Sequence, residues 1–450
     1  MQSTKRVALL VISCLTYSQF LLASEQSESK GFIEDSKWNA HARSLYFSRD
    51  FKSSHNTGQS KRMAWGLGLS TVFESGFTEG TVGFGLDAWG LQGIRLDGGR
   101  GHANAAMDVT PVGDSGRAAH DWSQLGGAVK ARISNTTIKY GNQFVSLPIL
   151  MTDSSRLLPE SVTGTLITSK EIENLEINAG HFTAISGAHS TGHDNSGYPS
   201  AYYVGMKRLD FIGGTYQFTD NLATSLYYSW NKDIAKRAYG NINYTYPIDN
   251  QQSVNVDFNI YHTDYDKKYV RRTSEGDIDK SINNTIWSLA GKYSYDAHSF
   301  IVAYQQSMGG WYGHGYDYGS GYGTNDGGSS IWLANSYESD FNAKDEKSLQ
   351  LSYELSGAGI GIPGLAFKSA YVYGWNADTA AYSGGKRGKE RELFNQVSYT
   401  IQQGAAKDLA FKVRSSFYRA TNRFSYGDNN ELRVYVDYPL DLVALIKNNK

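Results

Sequence analysis

Basic residues recur in this chain at a spacing of two: Lys130 with Arg132, Lys412 with Arg414, and His41 with Arg43. In an extended strand, residues two apart share a face, so each pair presents two cations in line. Lys139, Lys368 and Arg433 add single bases on the polar parity of their own segments. A column of spaced cations can pass an anion from step to step. Arg stays charged at any relevant pH and can grip a carboxylate through two parallel hydrogen bonds. The chemistry expected of such residues is transient binding of small anionic or zwitterionic solutes.

The elements that must position these bases are strands. In AFKVRSSFYRA, residues 410–420, Phe411, Val413 and Phe417 fall on one face, and Lys412, Arg414, Ser416 and Tyr418 on the other. Such alternation marks a half-buried strand. In a soluble protein Phe411 would face a core. In a membrane barrel it faces lipid, and Arg414 lines a wet lumen. Met63, Trp65, Leu67 and Leu69 alternate in the same way with Ala64, Gly66, Gly68 and Ser70, as do Val254, Val256, Phe258 and Ile260 with Asn255, Asp257 and Asn259. Each apolar face is one residue deep with no second layer to cover it, which lipid can do.

Alternation predicts eighteen strands, near 37–48, 62–73, 80–90, 124–133, 136–142, 163–170, 174–183, 209–217, 222–230, 236–246, 253–262, 285–294, 299–307, 347–355, 365–376, 391–402, 409–419 and 431–440. Connections alternate between long (Leu91–Ser123, Gln143–Val162, Met308–Glu346) and short (Ser75–Glu79, Asp296–His298, Gln403–Asp408). The one near Ala235 breaks the pattern, being short where a long loop is due. Long loops outside and short turns in the periplasm are the mark of an all-β transmembrane antiparallel barrel. Lipid forbids open sheet edges, so the last strand must meet the first. A barrel of this size encloses an aqueous channel. The 32 Tyr and 9 Trp fit aromatic girdles at the two interfaces.

The start, MQSTKRVALLVISCLTYSQFLLAS, reads as a signal peptide over residues 1–23, leaving 24–450 as one barrel domain. The single cysteine, Cys14, leaves with it, which removes disulfides and thiol chemistry. With 43 basic and 44 acidic residues the chain is not a nucleic-acid binder. No cofactor, metal or catalytic apparatus is expected. GLGLS from Gly66 and GFGLDAWG from Gly83 lie in strands with no helix following, so their glycines serve packing rather than a nucleotide. His181, His189, His193 and Asp194 have loosely metal-like spacing, with nothing to fix them. A barrel enzyme would need an activated Ser or paired acids at an interface, and a secreted carbohydrate-binding protein would need a dry core.

The insertion QFVSLPILMTDSSRLLPESVTG, residues 143–162, carries Asp153, Ser154 and Arg156 between Pro148 and Pro159. Its Leu and Ile residues would sit badly in open water, so it is expected to fold into the lumen and narrow it. Asp257 and Asp340 are expected on an opposing acidic and polar wall. GGWYGHGYDYGSGYGTNDGG, from Gly309, suits an external loop or an aromatic mouth.

RSLYFSRDF, DSSRLLPES, LDFIGGTYQFTDNLATSLYYSW, SYESDFNAKDEKS and YRATNRFSYGDNNELRVYVDYPL together resemble the OprD-type outer-membrane carboxylate channels. The resemblance covers nearly the whole mature chain. It implies an eighteen-stranded monomeric barrel, set among outer-membrane lipid and lipopolysaccharide. Such a barrel would pass aromatic acids, amino acids or short peptides by passive diffusion. It implies ladder positions at Arg43, Lys130, Arg132, Lys412, Arg414 and Arg433, and a constriction motif at Asp153 and Arg156. Three features depart from the pattern: Ala370 stands where relatives often carry Arg, Lys412 stands where Arg is common, and a tail over 443–450 runs past the last strand. YVYGWNAD, from Tyr371, resembles the sugar-selective chitoporins and keeps an oligosaccharide substrate open.

Overall fold

The computed structural model describes residues 24–52, 60–98, 109–112, 117–193, 207–266, 283–310, 331–378, 386–421 and 427–443. The proposed signal peptide, most of the glycine- and tyrosine-rich loop and the tail beyond residue 443 lie outside these. The strands are β1 (Lys37–Phe51), β2 (Lys61–Glu74), β3 (Val82–Asp97), β4 (Asp121–Ile133), β5 (Thr136–Gln143), β6 (Ser146–Leu147), β7 (Leu150–Met151), β8 (Ser161–Ile172), β9 (Leu175–Ser186) and β10 (Leu209–Thr219). They continue as β11 (Leu222–Asn231), β12 (Ala235–Pro247), β13 (Gln252–Tyr265), β14 (Asn283–Tyr295), β15 (His298–Gly309), β16 (Lys347–Ser356), β17 (Leu365–Asp378), β18 (Arg387–Thr400), β19 (Ala410–Ala420) and β20 (Asn429–Asp441). All but the small β6–β7 hairpin form one antiparallel eighteen-stranded sheet. The sheet closes on itself, since β20 pairs with β1 from Phe51↔Asn429 to Asn39↔Asp441.

Burial is inverted relative to a soluble protein. Leu125 is 78% exposed, Leu226 66% and Phe300 53%, whereas the inward residues Ser229, Thr263, Ser288, Gln305 and Ser348 are fully buried. Lipid is the environment that makes this arrangement stable. Tyr216 and Phe218, Tyr244 and Tyr246, and Tyr293 and Tyr295 stand outward at the short-turn ends of β10, β12 and β14, forming one aromatic girdle.

The eighteen barrel strands fall where alternation predicted them, and the ends differ for local reasons. β3 runs on to Asp97, past the expected end near 90, because outward-facing Gly90 and Gln92 break the apolar parity while backbone pairing continues. β20 stops at Asp441, so apolar Leu442 does not extend the strand, and Ala444 and the rest of the tail lie outside the described residues. The short β11–β12 connection is real: Asp233 adopts a left-handed φ of 64°, and Ile234 turns back with its N–H donating to the Asn231 carbonyl at 3.1 Å. At the opposite end, the tight turns take positive φ at Ser134 (52°), Asn174 (60°) and Asp296 (51°), the conformation that short hairpins require.

A candidate constriction and its basic column

Residues 144–160, between β5 and β8, touch two far-apart parts of the inner wall. Val145, Ile149 and Leu150 pack with Phe182, Phe211, Tyr239 and Tyr261 on β9 to β13, and the Tyr261 hydroxyl donates to the Pro148 carbonyl at 3.0 Å. Leu157 and Leu158 pack instead with Leu45, Phe47, Trp89 and Tyr435 on β1, β3 and β20. The second seat depends on two glycines of β2. A Cβ on Gly68 would lie 2.7 Å from the Leu157 carbonyl oxygen, and one on Gly66 would lie 2.5 Å from Leu157 Cδ2. Arg43 ties the segment down, its Nη1 donating to the Ser154 carbonyl at 2.6 Å and the Arg156 carbonyl at 2.9 Å. The Tyr435 hydroxyl donates to the Ser155 carbonyl at 2.9 Å. Asp153 shapes the loop itself, accepting from the Ser155 N–H at 2.8 Å and the Ser155 hydroxyl at 2.6 Å.

Beside this segment the strand register stacks inward-facing bases. Arg414 stands opposite Arg433, Lys412 opposite Tyr435, and Ala410 opposite Asp437, which faces Arg43. The order from the long-loop end is therefore Arg433 and Arg414, then Lys412, then Arg43 and His41. Arg433 and Arg49 both hold Glu431 at 2.5 Å, while Arg43 and His41 hold Asp437 at 2.6 and 3.0 Å. Lys412 and Arg414 differ: among the described residues neither has a carboxylate within ion-pair reach. Aromatic faces support them instead. Lys412 lies 4.2 Å from the Tyr435 ring centre, and Arg414 5.0 Å from that of Phe394. Phe47 carries three guanidinium groups, of Arg433 at 4.2 Å, Arg156 at 5.2 Å and Arg49 at 5.7 Å. Ring quadrupoles stabilise cations without neutralising them.

With that geometry in view, the comparisons decide the family. A family model described as outer membrane porin, OprD family, matches residues 30–442. The chain belongs to the OprD family of outer-membrane porins. It is 42% identical to Porin D of Pseudomonas aeruginosa over 446 residues, covering 95% of this chain and 96% of that one. It is 29% identical to the Porin-like protein GalP of Pseudomonas putida, covering 93% and 95%. Among solved structures, OccAB1 of Acinetobacter baumannii matches with a TM-score of 0.83 at 37% identity, over 93% of this chain and all of that one. The protein is thus an outer-membrane channel and not an enzyme, with its short turns in the periplasm and its long loops outside.

The other expected ladder bases of this porin are engaged by neighbours. Lys130 and Lys139 both hold Asp87 of β3, at 2.6 and 2.5 Å. Lys368 holds Glu354 at 3.1 Å, and Glu354 also takes Lys292 at 2.6 Å. Arg132 donates from Nε to Gln26 at 3.0 Å. Counting cations by parity missed these partners, although the same parity finds them: Asp87 shares a face with Gly83 and Gly85, and Glu431 and Asp437 share one with Arg433. Asp257 and Asp340 do not make one wall. Asp257 sits in an amide network, accepting from Asn241 at 2.8 Å, Asn243 at 2.9 Å and Asn259 at 2.6 Å. Asp340 lies in the β15–β16 connection, where it accepts from the Ser336 hydroxyl and its carbonyl accepts from Gln305 at 2.7 Å. His181 pairs outward with Asp210 at 2.6 Å and His193 meets the Asn142 amide at 3.1 Å; among the described residues no group of three possible metal ligands occurs, and Asp194 lies outside them.

Two glutamates of KERELF, spaced by two like the bases, were also missed. Glu392 accepts from the backbone N–H of Glu338 at 3.1 Å and of Ser339 at 3.0 Å, and from the Ser416 hydroxyl at 2.7 Å. Glu390 accepts from the Ser339 hydroxyl at 2.9 Å and from the Tyr418 hydroxyl. They clasp the outer loop segment 337–346 to β18 and β19, on the extracellular side of Arg414. At the end of that segment, burial and then the neighbouring Glu390 hold the Glu346 carboxyl well above the usual carboxylate range. A raised carboxyl stabilises the clasp in its protonated form, fully at acid pH, and that contribution is lost as pH rises through the raised value. Single-channel recordings should therefore become noisier at alkaline pH, and Glu346→Gln should flatten that dependence. Equal pH response in the two proteins would rule this out.

Proposed function

We propose that this porin admits small carboxylate-bearing solutes, such as aromatic acids, amino acids or short peptides, as a monomeric barrel among outer-membrane lipid and lipopolysaccharide. The observation that carries the reading is the pair Lys412 and Arg414, inward-facing beside the loop and, among the described residues, with no carboxylate within ion-pair reach. A solute carboxylate reaching Arg414 supplies the missing partner, then steps to Lys412 and on toward Arg43. Arg433 and Arg156 add positive potential without offering an open rung, because Glu431 and the loop already engage them. Low-dielectric walls focus that potential in the narrow water path. Lys130, Arg132, Lys139 and Lys368 shape the field from other parts of the wall. Asp153 keeps the loop in shape, Ser154 gives Arg43 its anchor, and the amides around Asp257 offer neutral donors to the solute's other end.

An oligosaccharide reading has less support. In YVYGWNAD the rings of Tyr371, Tyr373 and Trp375 have outward parity, and Val372 and Gly374 face the lumen. Sugar rings stack on aromatic faces, and these are turned to lipid. Liposome swelling with a panel of benzoate, amino acids, short peptides and neutral oligosaccharides tests the proposal. Carboxylates should enter roughly tenfold faster than neutral sugars of the same size, the factor that about 1.4 kcal/mol provides. Equal rates would overturn it.

A further inference from the structure

Residues 24–36, which precede β1, are stitched across the periplasmic turns. Gln26 is 3% exposed, its Nε2 donating to the carbonyls of Thr78 at 2.9 Å and Gly80 at 3.0 Å. Its backbone N–H donates to the Ser134 carbonyl at 3.1 Å, and that of Glu25 to Asn135 Oδ1 at 2.7 Å. The Ser29 hydroxyl donates to the Phe77 carbonyl at 2.7 Å, and the Gly76 N–H to the Phe32 carbonyl at 2.8 Å. The seat is close: a Cβ on Gly83 would come within 2.4 Å of Gln26 Oε1. With both amide hydrogens committed to the β2–β3 turn, the Gln26 side chain has only Oε1 left to offer, and Oε1 accepts from Arg132 Nε at 3.0 Å. The exposed Glu25 carboxylate lies 3.8 Å from Arg132 Nη1, and the guanidinium lies 4.2 Å from the Phe77 ring centre.

We infer that Gln26 and Glu25 form a built-in counter-ligand. They occupy Arg132 in the way a solute carboxylate would, and so determine anion selectivity at the periplasmic exit. A carboxamide oxygen bonded to Nε at 3.0 Å and a carboxylate 3.8 Å from Nη1, which also lies 3.7 Å from Lys170, set two oxygens beside the guanidinium where a solute carboxylate would approach, one bonded and one as a charge partner. Their effect on transport rests on the reading that lumen bases carry the solute's charge. A solute released from Arg43 then meets no vacant guanidinium at the exit on this side. Lys130 and Lys139, shared by Asp87, do not hold it either. The column thus ends at Arg43 and His41, and solute release is not slowed by a last tight rung.

The test is the reversal potential of the full-length porin in planar bilayers under a potassium chloride gradient. This reads inorganic ions, so it is independent of whether carboxylates are the natural solute. Gln26→Ala should expose Arg132 and raise the chloride-to-potassium permeability ratio by roughly twofold, an effect of the size that one uncovered charge produces in a narrow pore. Gln26→Glu should lower the ratio. The Gln26→Ala shift should vanish in an Arg132→Gln background. Heat-modifiable electrophoretic mobility reports barrel assembly. If Gln26→Ala does not assemble, Glu25→Gln, at an exposed position, carries the same test with the same sign. An unchanged reversal potential in assembled variants overturns the inference, and so does a Gln26→Ala shift that persists without Arg132.

Discussion

Replacing Lys412 and Arg414 together by Gln is expected to cut carboxylate uptake about tenfold or more while leaving the barrel assembled. A hydrogen bond to a charged group is worth about 1.5–3 kcal/mol, and about 1.4 kcal/mol corresponds to a factor of ten. The porin keeps these two cations with no carboxylate within ion-pair reach among its described residues, so each can still take a solute carboxylate as a direct partner. The structural cost should be small. Gln retains hydrogen-bonding capacity, and the ring faces of Tyr435 and Phe394 that support the cations also accept a flat amide. Uptake of labelled benzoate into proteoliposomes, beside neutral sugar uptake as a pore-size control, makes the measurement. A parallel fall in both fluxes would mean that the pore had narrowed rather than lost its affinity.

Substituting Gly68 by Val is expected to act oppositely, widening the path and weakening discrimination. The new Cβ falls 2.7 Å from the Leu157 carbonyl oxygen, a backbone atom tied into a segment that Arg43 also anchors. Overpacking of this kind costs about 1–3 kcal/mol. The barrel strand is paired on both sides, from His41↔Ser70 to Leu69↔Gln92, and does not yield first. The loop does. Loss of the seat for Leu157 and Leu158 frees residues 154–159 from the β1–β2 wall, so unitary conductance should rise by about twofold or more for a loop displaced by that energy. Selectivity should fall at the same time. Single-channel conductance checks this, and an unchanged value would show that the segment does not limit the pore. Gly66→Val, with its Cβ against a side-chain methyl, should give a weaker form of the same result.

Parity along the strands carried the fold. Phe411 and Arg414 reveal inside and outside because lipid demands an apolar face and a channel tolerates charge. The closed sheet followed from the cost of an unpaired edge. The inward bases were legible for the same reason: Arg43, Lys130, Arg132, Lys412, Arg414 and Arg433 all have inward parity. Which of them stay open was not legible. That depends on register between strands far apart in sequence, such as Arg43 beside Asp437 or Lys130 beside Asp87. It depends as well on a segment outside the barrel, because nothing in the spacing of Gln26 announces that it reaches Arg132. The loop's apolar residues announced that it needed cover, while its two separate seats rest on Gly66 and Gly68, which parity alone reads as featureless. Asp257 and Asp340 were grouped by charge, and they diverge because one belongs to a strand and the other to a loop folded over β15.

The central claim is that open bases beside the constriction give this porin its preference for carboxylates. The most direct measurement is the zero-current potential of the wild-type channel with sodium benzoate at unequal concentrations across the bilayer, repeated for the Lys412→Gln, Arg414→Gln protein. The account predicts a potential that marks benzoate as more permeant than sodium in the wild type and a shift toward sodium in the variant. A wild-type channel that favours sodium, or a variant that keeps the wild-type potential, would contradict it.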